Sequence, residues 1–168
     1  LGGGKSLKAS ERKWASGEPK DYLPYAAGAD GVPEMARPGD GYRVHTTGLS
    51  HDEDGFPTQN PEVVESQLQR ILGKIEHHRD LIDAFEATDC EDAEVVIVAL
   101  GAVARAARSA VRTLREKGVK AGLFRPITLW PFPQEQFRQI AGKAGNVLVA
   151  EMNAGQLALE MQAIKADG

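Results

Sequence analysis

Apolar and polar positions follow two different rhythms along this chain. Val64, Leu68, Ile71, Leu72, Ile75, Ile82 and Phe85 recur at spacings of three, four and seven, giving one apolar stripe over most of residues 61 to 87. Asn60 is placed to cap, Pro61 has the backbone angle of a first helical position, and Glu62 favours the positive end of a helix. The spacing therefore predicts a helix over most of residues 61–90. At about 1.5 Å per residue it would run roughly 40 Å, the length of a connecting strut.

A different pattern follows. Glu94-Val95-Val96-Ile97-Val98-Ala99-Leu100 is a short β-branched run of the kind that forms a strand buried on both faces, and Gly101 ends it. Val103, Ala106, Ala107, Ala110, Val111 and Leu114 share a helical face, and Lys117-Gly118 supplies the stop. Val119 to Phe124 predicts a second strand, closed by Arg125-Pro126, and Phe137, Ile140, Ala141 and Ala144 mark a helix between Pro133 and Gly145. Asn146 to Ala150 predicts a third buried strand, and Leu157, Met161 and Ile164 begin a further amphipathic helix. Strands alternating with helices through short links imply right-handed crossovers and a largely parallel sheet covered on both sides, an α/β domain over residues 91–168.

Residues 1–60 show neither period. They hold most of the prolines and many glycines, and they read as an extended arm or interdomain linker with little core of its own. Trp14, Tyr22, Tyr25, Tyr42 and Phe56 are too many aromatics for a solvated linker, so the arm is expected to pack against something.

Composition narrows the function classes. A chain of 168 residues accommodates one domain with an appendage. The net charge of −4, with both signs mixed, offers no basic track along the chain for a phosphate backbone, which argues against nucleic acid. No run approaches the roughly 18 to 20 apolar residues of a membrane span, and residues 1 to 20 lack the order of a signal peptide, so no membrane partner and a cytoplasmic location are expected. One cysteine, Cys90, excludes an internal disulfide, a multi-cysteine zinc site and a ferredoxin-type cluster within the chain.

Ligands of open parallel sheets bind outside the carboxyl ends of the strands, which directs attention to Gly101, Arg125 and Glu151-Met152-Asn153-Ala154-Gly155-Gln156. The helix N–H groups after Gly101 could hold an anion such as a phosphate of coenzyme A, although glycine there is first a steric need of the turn. Arg125 could clamp an anion or form an ion pair, the simpler reading. Glu151, Asn153 and Gln156 could meet a neighbour, or could simply cap a helix. His51-Asp52-Glu53-Asp54-Gly55 invites comparison with a calcium loop, but the twelfth position would be Pro61 where a glutamate is required, leaving an acidic turn or a subunit contact. His77 and His78 point about 100° apart on a helix and cannot share an ion. No nucleophile is set for catalysis, so no catalytic residue and no metal site are expected.

The run Gly118-Val119-Lys120-Ala121-Gly122-Leu123-Phe124-Arg125-Pro126-Ile127-Thr128-Leu129-Trp130-Pro131-Phe132-Pro133, then Val147-Leu148-Val149-Ala150-Glu151-Met152-Asn153-Ala154-Gly155-Gln156, resembles the alpha subunits of 2-oxoacid:ferredoxin oxidoreductases. Thr47-Gly48-Leu49-Ser50-His51-Asp52-Glu53-Asp54-Gly55 is similar to the family's linker after its thiamine diphosphate pyrimidine domain. The resemblance implies a three-layer α/β/α domain like the C-terminal domain of transketolase, with a mainly parallel five-stranded sheet. It implies an oligomeric holoenzyme using thiamine diphosphate, Mg2+ and iron–sulfur clusters, which turns a 2-oxoacid, coenzyme A and oxidised ferredoxin into acyl-CoA, CO2 and reduced ferredoxin. None of the cofactor-binding residues has a match here, so the chain is expected to be a C-terminal, non-catalytic assembly part without cofactor of its own. Its expected partners are the thiamine-binding domain of the same subunit, the beta subunit and, indirectly, ferredoxin. The expected interface residues are His51, Asp52, Glu53, Arg125, Glu151, Asn153 and Gln156. The linker loop slightly favours 2-oxoglutarate over pyruvate or branched-chain acids. Two other readings stay open: the terminal domain of transketolase or of a 2-oxoacid dehydrogenase beta subunit, and a coenzyme A or nucleotide module centred on Gly101.

Overall fold

The structure, a computed structural model, describes residues 11–166. The chain divides between His78 and Arg79 into two compact units.

In the first unit the main element is helix α1 (Pro61–Glu76), opened as its sequence predicts by Asn60, whose side chain accepts the Glu62 N–H at 3.0 Å. The helix stops well short of residue 87. The His77 N–H bonds the Gly73 carbonyl, and His78 Nδ1 lies 2.7 Å from the Lys74 carbonyl, so the histidine pair closes the last turn. The arm before it is not an extended strip in its described part, and its residues 1–10 lie outside the described residues. Its aromatics pair with one another: Tyr22 sits edge-on to Tyr42 at 4.9 Å, His45 stacks on Phe56 at 4.4 Å, and the Arg37 guanidinium covers Trp14 at 4.6 Å. Gly55 has φ +91° beneath the His45 carbonyl, and a Cβ there would overlap that oxygen.

The second unit begins with a short helix, α2 (Arg79–Ile82), and continues through β1 (Phe85–Thr88), β2 (Val95–Ala99), α3 (Gly101–Glu116), β3 (Ala121–Pro126), α4 (Gln134–Ala141), β4 (Asn146–Ala150) and α5 (Gln156–Ala166). The strand order is β1-β3-β2-β4, with β1 antiparallel to β3 and the other two pairings parallel. The described residues thus form four strands where the family resemblance implies five, and one of the four was hidden inside the predicted long helix.

After the single turn of α2, residues 83–88 leave the helical path because the sheet holds them more strongly. Arg79 makes paired bonds to Asp83 and a 2.7 Å bond to the Phe132 carbonyl, the Ala84 carbonyl accepts the N–H groups of Ile127 and Thr128, and Phe85 stacks on Phe124 at 5.4 Å. Ile82 and Phe85 keep the phase of α1 by coincidence of spacing. Tertiary contacts decide their conformation, as is usual for marginal local preference.

Two apolar layers flank the sheet. Ile97, Ala99, Ala121 and Leu123 pack against Ala104, Ala107 and Val111 of α3, while Val96, Val98 and Phe124 pack against Phe132, Phe137, Leu157, Met161 and Ile164 on the α4–α5 side. Strand β4 is an exposed edge rather than the buried strand that its composition predicts, with Leu148 56% exposed. Phe124 has no exposed surface and touches the rings of Phe85, Phe132 and Phe137. Phe124→Ala should therefore lower unfolding free energy by about 3–5 kcal/mol in denaturant titration, whereas a loss below about 1 kcal/mol would mean that the ring is not a core residue.

Candidate functional site

The register places the ends of the parallel strands level. Val98 pairs with Phe124 and Ala99 with Ala150, so Arg125, Gly101 and Glu151 follow one another across a single carboxyl edge, in the order β3, β2, β4. This is the edge that topology marks for ligands or neighbours.

The polar residues on it are largely engaged within the unit. Glu151 accepts the Leu157 N–H on one carboxylate oxygen at 2.9 Å and the Ala158 N–H on the other at 3.1 Å, which ties the end of β4 to the first turn of α5. Asn153 accepts the N–H groups of Gly155 and Gln156 at 2.9 and 3.2 Å. These two are the helix-capping roles that the residue types predict. Gln156 is exposed at the start of α5. Gly101 has φ +56° and carries α3 directly from β2, and Leu100 before it offers no side-chain cap to the helix N–H groups.

Arg125 makes two 3.1 Å bonds to the carboxylate of Glu86, its partner in the β1–β3 register, and Arg108 of α3 reaches the same carboxylate at 2.5 Å. Glu86 is thus the hub of an Arg–Glu–Arg group. The Arg125 guanidinium, with Arg108 beside it, holds the Glu86 carboxyl below the usual glutamate range. Sequence reasoning missed Glu86, because it placed residue 86 on a helix.

The edge exposes apolar side chains instead. The loop leaving β3 carries Ile127, Leu129 and Trp130, the last 72% exposed, and the loop leaving β4 carries Met152 at 89%. The rhythm of a strand-to-helix connection hides them, since such loops are expected to be polar.

His51, Asp52 and Glu53 lie in the other unit, where with Tyr25, Glu62, Gln67 and Arg70 they line a shallow cavity of about 370 Å³. Both His51 nitrogens are taken: Nδ1–H donates to the Leu49 carbonyl at 2.9 Å, and Nε2 faces the Gln67 amide nitrogen at 2.9 Å, with the Tyr25 ring at 3.8 Å. The ring is a packing centre for its own unit. The Glu53 carbonyl accepts the Tyr25 N–H, and Asp52 and Gly55 close a turn through a 2.9 Å backbone bond.

Among the described residues no three His, Cys, Asp or Glu side chains converge as metal ligands. Cys90 is buried, its thiol donates to the Thr88 and Leu123 carbonyls, and burial pushes its pKa up, the opposite of an activated or cluster-binding thiolate. The described residues therefore do not fit a cysteine-ligated iron–sulfur cluster. No helix among them is long and apolar enough to cross a membrane.

Fold and edge together define a doubly covered α/β domain whose carboxyl-edge polar groups mainly cap and cross-link it. Residues 93–168 match the family described as pyruvate:ferredoxin oxidoreductase core domain II. The chain is 42% identical over 161 residues to the 2-oxoglutarate synthase subunit KorA of Methanothermobacter thermautotrophicus, covering 95% of this chain and 43% of that protein. It is 43% identical over 133 residues to the same subunit of Methanocaldococcus jannaschii, covering 79% of this chain and 36% of that one. The structure of a 2-oxoglutarate:ferredoxin oxidoreductase from Magnetococcus marinus, with 2-oxoglutarate, coenzyme A and succinyl-CoA bound, superposes with a TM-score of 0.82 and 28% identity over 90% of this chain and 27% of that one. Residues 93–168 therefore carry a pyruvate:ferredoxin oxidoreductase core domain II, and nearly the whole chain is similar to 2-oxoglutarate synthase KorA subunits. The chain spans about two fifths of the length of the first of these curated relatives.

The Glu86 group makes a pH-dependent prediction. A carboxylate whose folded pKa is depressed stabilises the fold above its unfolded value of about 4.3 and loses that contribution as pH falls through the lower folded value. Wild type should be more stable than Glu86→Gln at neutral pH, and the gap should close in strong acid. A gap independent of pH in denaturant titrations would show that the ion pairs contribute nothing.

Proposed function

We propose that this chain is an assembly domain of a cytoplasmic, thiamine-diphosphate-dependent 2-oxoacid:ferredoxin oxidoreductase with 2-oxoglutarate as substrate. That enzyme would convert 2-oxoglutarate, coenzyme A and oxidised ferredoxin to succinyl-CoA, CO2 and reduced ferredoxin. The substrate rests on the relatives, two of which are named 2-oxoglutarate synthase subunits. The chemistry is assigned to other parts of the complex, a reading supported by the buried Cys90 thiol, whose pKa burial pushes up.

The observation that carries the assembly role is the contrast along the carboxyl edge. Glu151, Asn153 and Arg125 are bonded inside the unit, while Ile127, Leu129, Trp130 and Met152 stand exposed in the loops beside them. Large apolar side chains gathered at one end of a domain are the usual mark of a protein contact, and Trp is prominent among residues that dominate such contacts. The polar residues named as interface candidates would then act indirectly, by fixing the loops that present the apolar ones. A docking domain of this kind contributes to catalysis by fixing the spacing of the cofactor domains. A misplacement of reacting groups by about 1 Å can slow turnover about 10²-fold.

In the complete complex, Trp130→Glu combined with Met152→Glu should reduce recovery of intact assembly and lower 2-oxoglutarate-dependent ferredoxin reduction by about tenfold or more. Truncation of the parent subunit after Cys90 should abolish both. Normal assembly and turnover in the truncated complex would defeat the assignment.

A further inference from the structure

Helix α3 carries a second surface feature that the assembly role does not use. Arg105, Arg108, Arg112 and Arg115 are spaced by three, four and three residues, which at 100° per residue confines them to an arc of about 80° along one flank of the helix. The adjoining flank, centred about 90° round the helix, buries Ala104, Ala107 and Val111 against the sheet. The four arginines, with Thr88 and Asp89 at the end of β1, line a long open groove of about 700 Å³. The helix has a single acid, Glu116, so it concentrates positive charge on a chain whose net charge is −4.

The row alternates. Arg108 is held by Glu86 at 2.5 Å, and Arg115 by Asp92 at 2.6 Å together with the Asp89 and Ala121 carbonyls at 2.7 Å. Arg105 and Arg112, both exposed, have no carboxylate partner among the described residues and stand seven residues apart, about 10 Å along the helix. Two arginines of the row, Arg108 and Arg115, already bind single carboxylates, and Arg105 and Arg112 are left open in alternation with them. Free guanidinium forks in a fixed row suit planar carboxylates on a partner chain. The acids in and beside the groove, Asp89, Glu116 and Glu86, oppose a compact multivalent anion more than they oppose carboxylates spread along a chain.

We propose that the flank of α3 bearing Arg105 and Arg112 is a docking surface for a carboxylate-rich protein segment. The two open arginines form its charge contacts, and Arg108 and Arg115 are pinned as its rigid frame. The proposal stands independently of the assembly role.

The probe is fluorescein-labelled octaglutamate, titrated into the full chain at about 20 mM salt and followed by anisotropy. Wild type should bind, added salt should weaken binding, and R105E/R112E should weaken it about tenfold while leaving the denaturation midpoint unchanged. R105Q/R112Q should give a smaller loss in the same direction, and R37E, in the other unit, should leave binding unaltered. Absence of peptide binding, or equal affinity in wild type and both double variants, would overturn the proposal. So would binding of inorganic pyrophosphate that depends on Arg105 and Arg112 without binding of octaglutamate, since that outcome assigns the groove to a phosphate-bearing ligand.

Discussion

Strands β2 and β3 present apolar side chains on both faces, and both faces are kept dry. Val96, Val98, Leu123 and Phe124 are fully buried or nearly so, and Ile97, Ala99 and Ala121 are covered from the other side or in the same layer. A strand pair of this kind cannot sit at the surface, because its backbone must be paired in a ladder and its side chains must be roofed above and below. Helix α3 roofs one face, and α4 with α5 roofs the other. The amino and carboxyl ends of the strands are left as the places where side chains can be offered to something else. The location of the candidate site follows from that burial.

Much of this was legible. The strands β2, β3 and β4 and the helices between them could be read from short apolar runs bounded by Gly101, Pro126, Pro133 and Gly145, because each segment's local pattern agrees with its packed state. The capping of α1 by Asn60 and the engagement of Glu151 and Asn153 with α5 also follow from residue type and position. The failures have a common cause. One apolar stripe continues in phase through Phe85 and predicts a helix there, and only contacts distant in sequence place Phe85 and Glu86 in an antiparallel strand: the Phe124 ring for one and the Arg125 guanidinium for the other. The exposed face of β4 departs from its pattern for the complementary reason. Its composition is that of a buried strand, and only the sheet order reveals it as an edge.

The polar candidates illustrate why a pattern can locate a site without giving its chemistry. Arg125, Glu151 and Asn153 do lie at the edge that topology selects, yet their bonding is directed inward. What the edge offers outward is Trp130, Leu129 and Met152, residues without titratable groups. Arginine is distributed likewise: Arg108, Arg115 and Arg125 serve the fold through Glu86 and Asp92, and the remaining cations of α3 stay at the surface. In the proposed assembly role, rigid loops and dry contacts would matter more than acids and bases.

The central claim, that the carboxyl edge of the sheet is a contact face within a larger oxidoreductase, is tested most directly by hydroxyl-radical footprinting of Trp130 and Met152. Both side chains are largely exposed in the chain by itself, and both residue types oxidise readily when solvent reaches them. The account predicts rapid oxidation of the two in the separate chain and strong protection in the assembled complex. Equal oxidation in both states would contradict it.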